Sequence, residues 1–273
     1  MIRPLVATLA LVLAPAAALA QATPAASPTP SPYFPLGNND PCTSLSAIVT
    51  RPTVTNSVCT VRPNHVLIET GYQNTTASGG NTVAYPQSLI RVGTAVPALE
   101  IDFAPPSLVR TNAGGLTTGT TDIGAGLKYV FGYTPKFNYG GQIFVTAPTG
   151  LNGFSAGGSQ TTYALQAAYT LSPVFSIAGA AQQASLTNGT ARWTSFFPSV
   201  VVSAALPNST SVFGEIAQFS QGAGPGTPTR TQYILGVYRD LGQRLQLDAS
   251  VGTSPTVSTG KYHYVALGAS YYL

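Results

Sequence analysis

Hydrophobic and polar positions alternate along most of this chain, most sharply in Tyr262–Leu273, YHYVALGASYYL. Val265, Leu267, Ala269, Tyr271 and Leu273 fall on one face of an extended strand; Tyr264, Ala266, Gly268, Ser270 and Tyr272 fall on the other. Patterning of period two specifies a strand with one apolar face. From Pro63 onward it recurs twelve times. The first six predicted strands are His65–Tyr72, Ser88–Thr94, Ala98–Phe103, Thr121–Phe131, Asn138–Ala147 and Thr161–Leu171. Val174–Gln183, Arg192–Leu206, Ser211–Phe219, Thr231–Arg239, Arg244–Gly252 and Tyr262–Leu273 complete the set. No helical period is sustained after the first twenty residues.

The connections between these strands have a rhythm. After even-numbered strands they are short: Ala95–Pro97, Gly132–Phe137, Ser172–Pro173, Pro207–Ser209 and Asp240–Gln243. After odd-numbered strands they are longer and rich in Gly, Thr, Asn and Ser, as in Gln73–Gln87 and Ala104–Thr120. An even strand count with short turns at one end and long loops at the other is expected of an up-and-down antiparallel barrel of the outer-membrane type. In that barrel the apolar face meets lipid and the other face lines the lumen.

Charge placement agrees. Glu69, Arg91, Glu100, Asp102, Asp122, Lys128, Glu215 and Asp248 all fall opposite the apolar face of their strands and are expected to line the lumen. A Lys or Arg facing lipid at the midplane costs roughly 2–4 kcal/mol, which inward placement avoids. Six carboxylates against Arg91 and Lys128 suggest a weak cation preference in any pore, with Asp102 and Asp122 near the long-loop mouth. Tyr129, Phe131, Tyr133, Phe137 and Tyr139 surround one short turn, as an interfacial aromatic girdle would. Trp193, Phe196 and Tyr163 belong near the opposite rim.

Composition supports the membrane reading. Only 7% of the 273 residues are charged, against about 25% for soluble domains. Met1–Ala20 carries Arg3, an apolar core and small residues at Ala18 and Ala20, and reads as a cleaved secretory signal. Beyond it no apolar run is long enough to span a bilayer as a helix. Residues 21–62 are expected to form a Pro-rich periplasmic arm, with the barrel occupying 63–273. Cys42 and Cys59 lie in that arm, and an even cysteine count in an oxidising compartment predicts one disulfide. The basic residues form no stripe, so nucleic acid is not an expected partner.

Two segments, TTDIGAGLKYVF (Thr120–Phe131) and GGQIFVTAPTG (Gly140–Gly150), resemble the outer-membrane transporter family labelled MetA-pathway of phenol degradation proteins. Gly124, Gly126, Leu127, Lys128 and Tyr129 carry the first element; Pro148, Thr149 and Gly150 carry the second. The early strands LIRVGTAVPALEIDF are similar in order and spacing. The resemblance covers about Pro63–Leu273 and implies an outer-membrane barrel and a channel for small molecules, aromatic ones included. The arm and its cysteines fall outside it. The aromatic terminal strand also looks like the signal by which such barrels engage their assembly machinery.

No catalytic constellation emerges. His65 and His263 are expected at opposite ends of their strands, and neither has a Ser and Asp within reach for a triad. GAGPG (Gly222–Gly226) and NAGG (Asn112–Gly115) lead into no helix, so neither is a phosphate cradle. No metal or cofactor is expected. The leading expectation is a channel for passive uptake of small molecules, with hydrophobic or aromatic ones as candidates. The alternative is a closed structural or adhesive barrel whose external loops carry the function.

Overall fold

The computed structural model describes residues 40–151, 153–255 and 261–273. The predicted signal and most of the Pro-rich stretch therefore lie outside the described residues. Fifteen strand segments follow one another: β1 (Val66–Ala77), β2 (Gly80–Tyr85), β3 (Leu89–Gly93), β4 (Leu99–Ala104), β5 (Leu108–Thr111), β6 (Thr117–Thr120), β7 (Ile123–Tyr133) and β8 (Phe137–Ala147). After them come β9 (Gln160–Thr170), β10 (Phe175–Thr187), β11 (Arg192–Leu206), β12 (Thr210–Phe219), β13 (Arg230–Leu241), β14 (Leu245–Ser254) and β15 (Tyr262–Tyr272).

Twelve of them, all but β2, β5 and β6, form one antiparallel sheet in sequential order. The sheet closes where β15 pairs with β1, from Leu67↔Tyr272 to Ala77↔Tyr262. Closure leaves no strand edge in the wall, as hydrocarbon requires of backbone polar groups. The outward face is apolar: Leu165, Leu235 and Leu267 are 63%, 65% and 54% exposed. In β7, Ile123, Ala125, Leu127, Tyr129 and Phe131 alternate outward with buried or half-buried Gly124, Gly126, Lys128 and Val130 inward. An exposed apolar band encircling a polar interior defines a lipid-facing exterior. At one short turn Tyr129, Phe131, Tyr139 and Phe137 form a chain of ring contacts with centroids 5.7–6.0 Å apart.

The other three segments correct one expectation. Gln73–Gln87 and Ala104–Thr120 read as loops, yet β2, β5 and β6 occupy much of them. They continue the wall beyond three breaks, pairing in the order β1–β2–β5–β6. Two breaks coincide with prolines, at Pro86 and at Pro105–Pro106, which cannot donate to the ladder. Side chains stitch the seam: Ser107 Oγ donates to Pro86 O at 2.8 Å, and Ser107 N–H donates to Thr121 Oγ1 at 2.8 Å.

Candidate functional site

Inward alternation brings charges on four adjacent strands to one level of the lumen. In the register, Arg91 on β3 faces Asp102 on β4, and Glu100 on β4 faces Lys128 on β7. Arg91 Nε lies 2.8 Å from Glu100 Oε1 and 3.8 Å from Asp102 Oδ1. Its Nη1 is 2.9 Å from Glu69 Oε1 on β1, and Lys128 Nζ is 3.4 Å from Glu100 Oε1. All five side chains are fully buried. Buried charges persist where partners and hydrogen bonds compensate their lost hydration, and here each has at least one opposite charge.

What buries them is the chain itself. Residues 40–62, expected in a periplasmic arm, pack against the inner wall of the barrel, where most of their side chains are buried. The segment enters through a single 3-10 turn (Pro41–Thr43) and helix α1 (Leu45–Ile48), capped by Asp40 and Ser44. It then runs to a tip around residues 52–56 and returns past Cys59 to Pro63, which bridges to Gly93. The two legs are joined by the Cys42–Cys59 disulfide. Asn138 Nδ2 on β8 approaches both sulfurs, at 3.7 and 3.4 Å.

Lumen carboxylates hold this hairpin mainly by its backbone. Glu69 accepts the Thr50 and Arg51 amides at 2.9–3.0 Å and the Thr50 hydroxyl at 2.7 Å. Glu215 on β12 accepts the Val54 amide at 2.8 Å and, on its other oxygen, both donors of Thr55. Glu100 accepts the Val61 amide. Arg91 spans both legs, donating through Nη1 to Ile48 O and through Nη2 to Cys59 O. Hydrogen bonds to charged groups are the stronger kind, each contributing about 1.5–3 kcal/mol.

Arg51 is the buried one of the plug's two arginines. Its Nε lies 3.4 Å from Asp248 Oδ2 on β14, and Nη2 donates to Leu267 O at 3.2 Å. Gly71 and Gly268, paired across the β1–β15 closure, open the slot it occupies. A Cβ on Gly71 would lie 2.2–2.5 Å from the guanidinium, and one on Gly268 would lie 2.3 Å from its Nε.

Above the tip, toward the long loops, a cavity of about 230 Å³ opens. Its apolar lining comes from Phe144, Phe154, Phe219, Tyr262 and Tyr264, with glutamines such as Gln142, Gln160, Gln182 and Gln232 between them. Asn56 Nδ2 donates to Gln142 Oε1 at 3.0 Å, while Gln142 Nε2 donates to Asp102 Oδ2 at 2.7 Å, so tip and wall are continuous.

Of the residues singled out in the sequence, Glu69, Arg91, Glu100, Asp102 and Lys128 converge, while Glu215 and Asp248 each hold a separate part of the plug. Asp122 stands apart: its carboxylate accepts the Gly150 and Ala156 amides at 2.8 and 2.9 Å, pinning the loop after β8. His65 Nδ1 lies 2.8 Å from Leu273 O, and His263 is level with Thr76 at the other end of β1. Sequence reasoning missed Thr50, Arg51, Thr55, Gln142 and Arg230. A Gly in a lumen position on each of the two closing strands was the one available sign that something approaches there.

Barrel, inward charge and outward apolar band together define an outer-membrane β-barrel of porin-like architecture. No family model matches the chain, and no curated protein matches it. Solved structures do: the COG4313 outer membrane channel from Pseudomonas putida F1 aligns with TM-score 0.60 at 15% identity, over 79% of this chain and 98% of that one. The NanC porin aligns with TM-score 0.56 at 7% identity, over 75% and 98%. The KdgM porin gives TM-score 0.50 at 11% identity, over 74% and 98%. At such identities the likeness concerns the fold.

Proposed function

We propose that this protein is a channel of the bacterial outer membrane for passive uptake of small molecules, hydrophobic and aromatic ones among them, with both termini in the periplasm. The observation that carries this reading is the aromatic- and glutamine-lined cavity standing directly above a segment whose tip is docked largely by polar contacts, with Val54 its apolar one. A lumen meant only to be closed is more simply filled by apolar side chains. Here the tip is held by one carboxylate, Glu215, together with the neutral polar side chains of Gln142, Gln182 and Ser199, contacts for which water and ions compete. The name of the COG4313 outer membrane channel and the resemblance to the phenol-degradation transporter family support the same reading. The residues 40–62 act as a plug that sets how much passes. Lipid surrounds the barrel, and the terminal strand β15 serves as the handle for assembly.

Planar-bilayer conductance tests it. The native protein is expected to pass small currents, and a variant with a weakened plug larger ones. Silence from both would leave the closed structural or adhesive barrel as the better account.

A further inference from the structure

Arg230 opens β13 at the long-loop end and lines the cavity. Its guanidinium carbon sits 4.7 Å from the centroid of the Tyr262 ring and 5.5 Å from that of Phe219. Two ring faces thus hold the guanidinium in place, an arrangement that fixes a cation without neutralising it. Among the described residues no carboxylate pairs with it, and its buried Nε has no hydrogen-bond acceptor.

The acidic groups that also line the cavity are already engaged. Glu69 is taken by Arg91 and the plug amides, and Asp122 by the amides of Gly150 and Ala156. Arg51, at the cavity floor, has Asp248. The charge left to act on an incoming molecule is therefore positive.

We propose that the cavity is a binding site for small aromatic carboxylates, with Arg230 taking the carboxylate and the neighbouring rings taking the body of the ligand. A guanidinium already immobilised by its ring neighbours offers its fork of N–H donors to a planar carboxylate with little further loss of freedom. Tyr264, stacked on Tyr262 with centroids 6.4 Å apart, extends the aromatic wall. Gln232, two residues along β13 on the same lumen face, adds a neutral polar group. A cavity of about 230 Å³ falls below the roughly 300–1,000 Å³ of sites for drug-sized ligands, which suits a single ring. This assignment deepens the channel reading, because a molecule held in the vestibule is one the channel would pass. It also reverses the weak cation preference suggested by counting lumen carboxylates.

The test is calorimetric titration of the full chain in detergent with benzoate, its neutral isostere benzamide, and acetate. Benzoate is expected to bind at least about tenfold more tightly than either, and to lose about tenfold in Arg230→Gln, the loss of one charged hydrogen-bonded contact. Unheated gel migration establishes that the variant is folded. On the native protein, benzoate affinity is expected to fall as sodium chloride is raised. Benzamide binding as tightly as benzoate, salt-insensitive binding, or an unaffected Arg230→Gln variant overturns the proposal; acetate equal to benzoate removes its aromatic half. Liposome swelling separates the two readings. Arg230-dependent binding without flux leaves the site and removes the channel, and flux without benzoate binding does the reverse.

Discussion

Glu215 and Thr55 lie 160 positions apart, yet one carboxylate oxygen of Glu215 accepts both the amide of Thr55, at 2.6 Å, and its hydroxyl, at 2.7 Å. The other oxygen takes the amide of Val54. The anion sits on a strand of the wall and its donors at the tip of the plug, so this contact joins two separately built parts.

Glu215→Ala leaves the amides of Val54 and Thr55 without their acceptor, while the Thr55 hydroxyl keeps Ser199 Oγ at 2.8 Å, and weakens the docking of the tip by about 2 kcal/mol or more. The wall ladder of β12 is untouched. Single-channel conductance is expected to rise with no change in heat-modifiable gel migration; an unchanged conductance would show that the tip does not obstruct the path.

Arg91→Met removes the cation shared by Glu69, Glu100 and the carbonyls of both plug legs. Stranding buried carboxylates costs about 3–5 kcal/mol. The temperature at which the folded gel band disappears is expected to drop clearly. An Arg91→Met, Glu100→Gln double variant should recover part of the loss, as coupled neighbours do.

Gly71→Ala pushes a methyl group into the Arg51 slot, whereas nothing lies within 4 Å of a Cβ at Gly79. Protease accessibility of residues 40–62 is expected to increase for Gly71→Ala and to stay native for Gly79→Ala. Equal protection in both would mean that Arg51 contributes nothing to retention.

Replacing Cys42 and Cys59 by Ser opens a loop spanning 17 positions, worth roughly 3 kcal/mol in the loop-entropy account. The pair precedes β1, so the barrel should fold and only the plug should loosen. In native protein, alkylation before denaturation should find no thiol; two alkylated thiols would refute the disulfide in the mature protein.

The wall was legible because lipid imposes a rule at every second residue. Leu127 and Lys128 could be assigned to opposite faces from β7 alone, and the strand bounds follow within a few residues except at the breaks. Where the wall leaves hydrocarbon the rule lapses. Thr117–Thr120 has no apolar face, and β6 therefore read as loop. The lumen carboxylates were legible as inward, but not their occupation. The plug is recognised largely through backbone amides, at Thr50, Arg51, Val54, Thr55 and Val61, which no side-chain pattern records. Asp122 matched the inward parity of Asp102, yet only the fold of the loop after β8 gives it the amides of Gly150 and Ala156.

Asn138 covers both cysteine sulfurs from a strand in the middle of the wall, and Cys59 is wholly enclosed. An oxidase large enough to be a protein cannot reach them while residues 40–62 are docked inside the wall. Those residues precede β1 in the chain, so the crosslink is expected to form between export and docking, and the hairpin to take its place already tied. A segment that docks first would carry two thiols beyond the reach of the enzymes that join them.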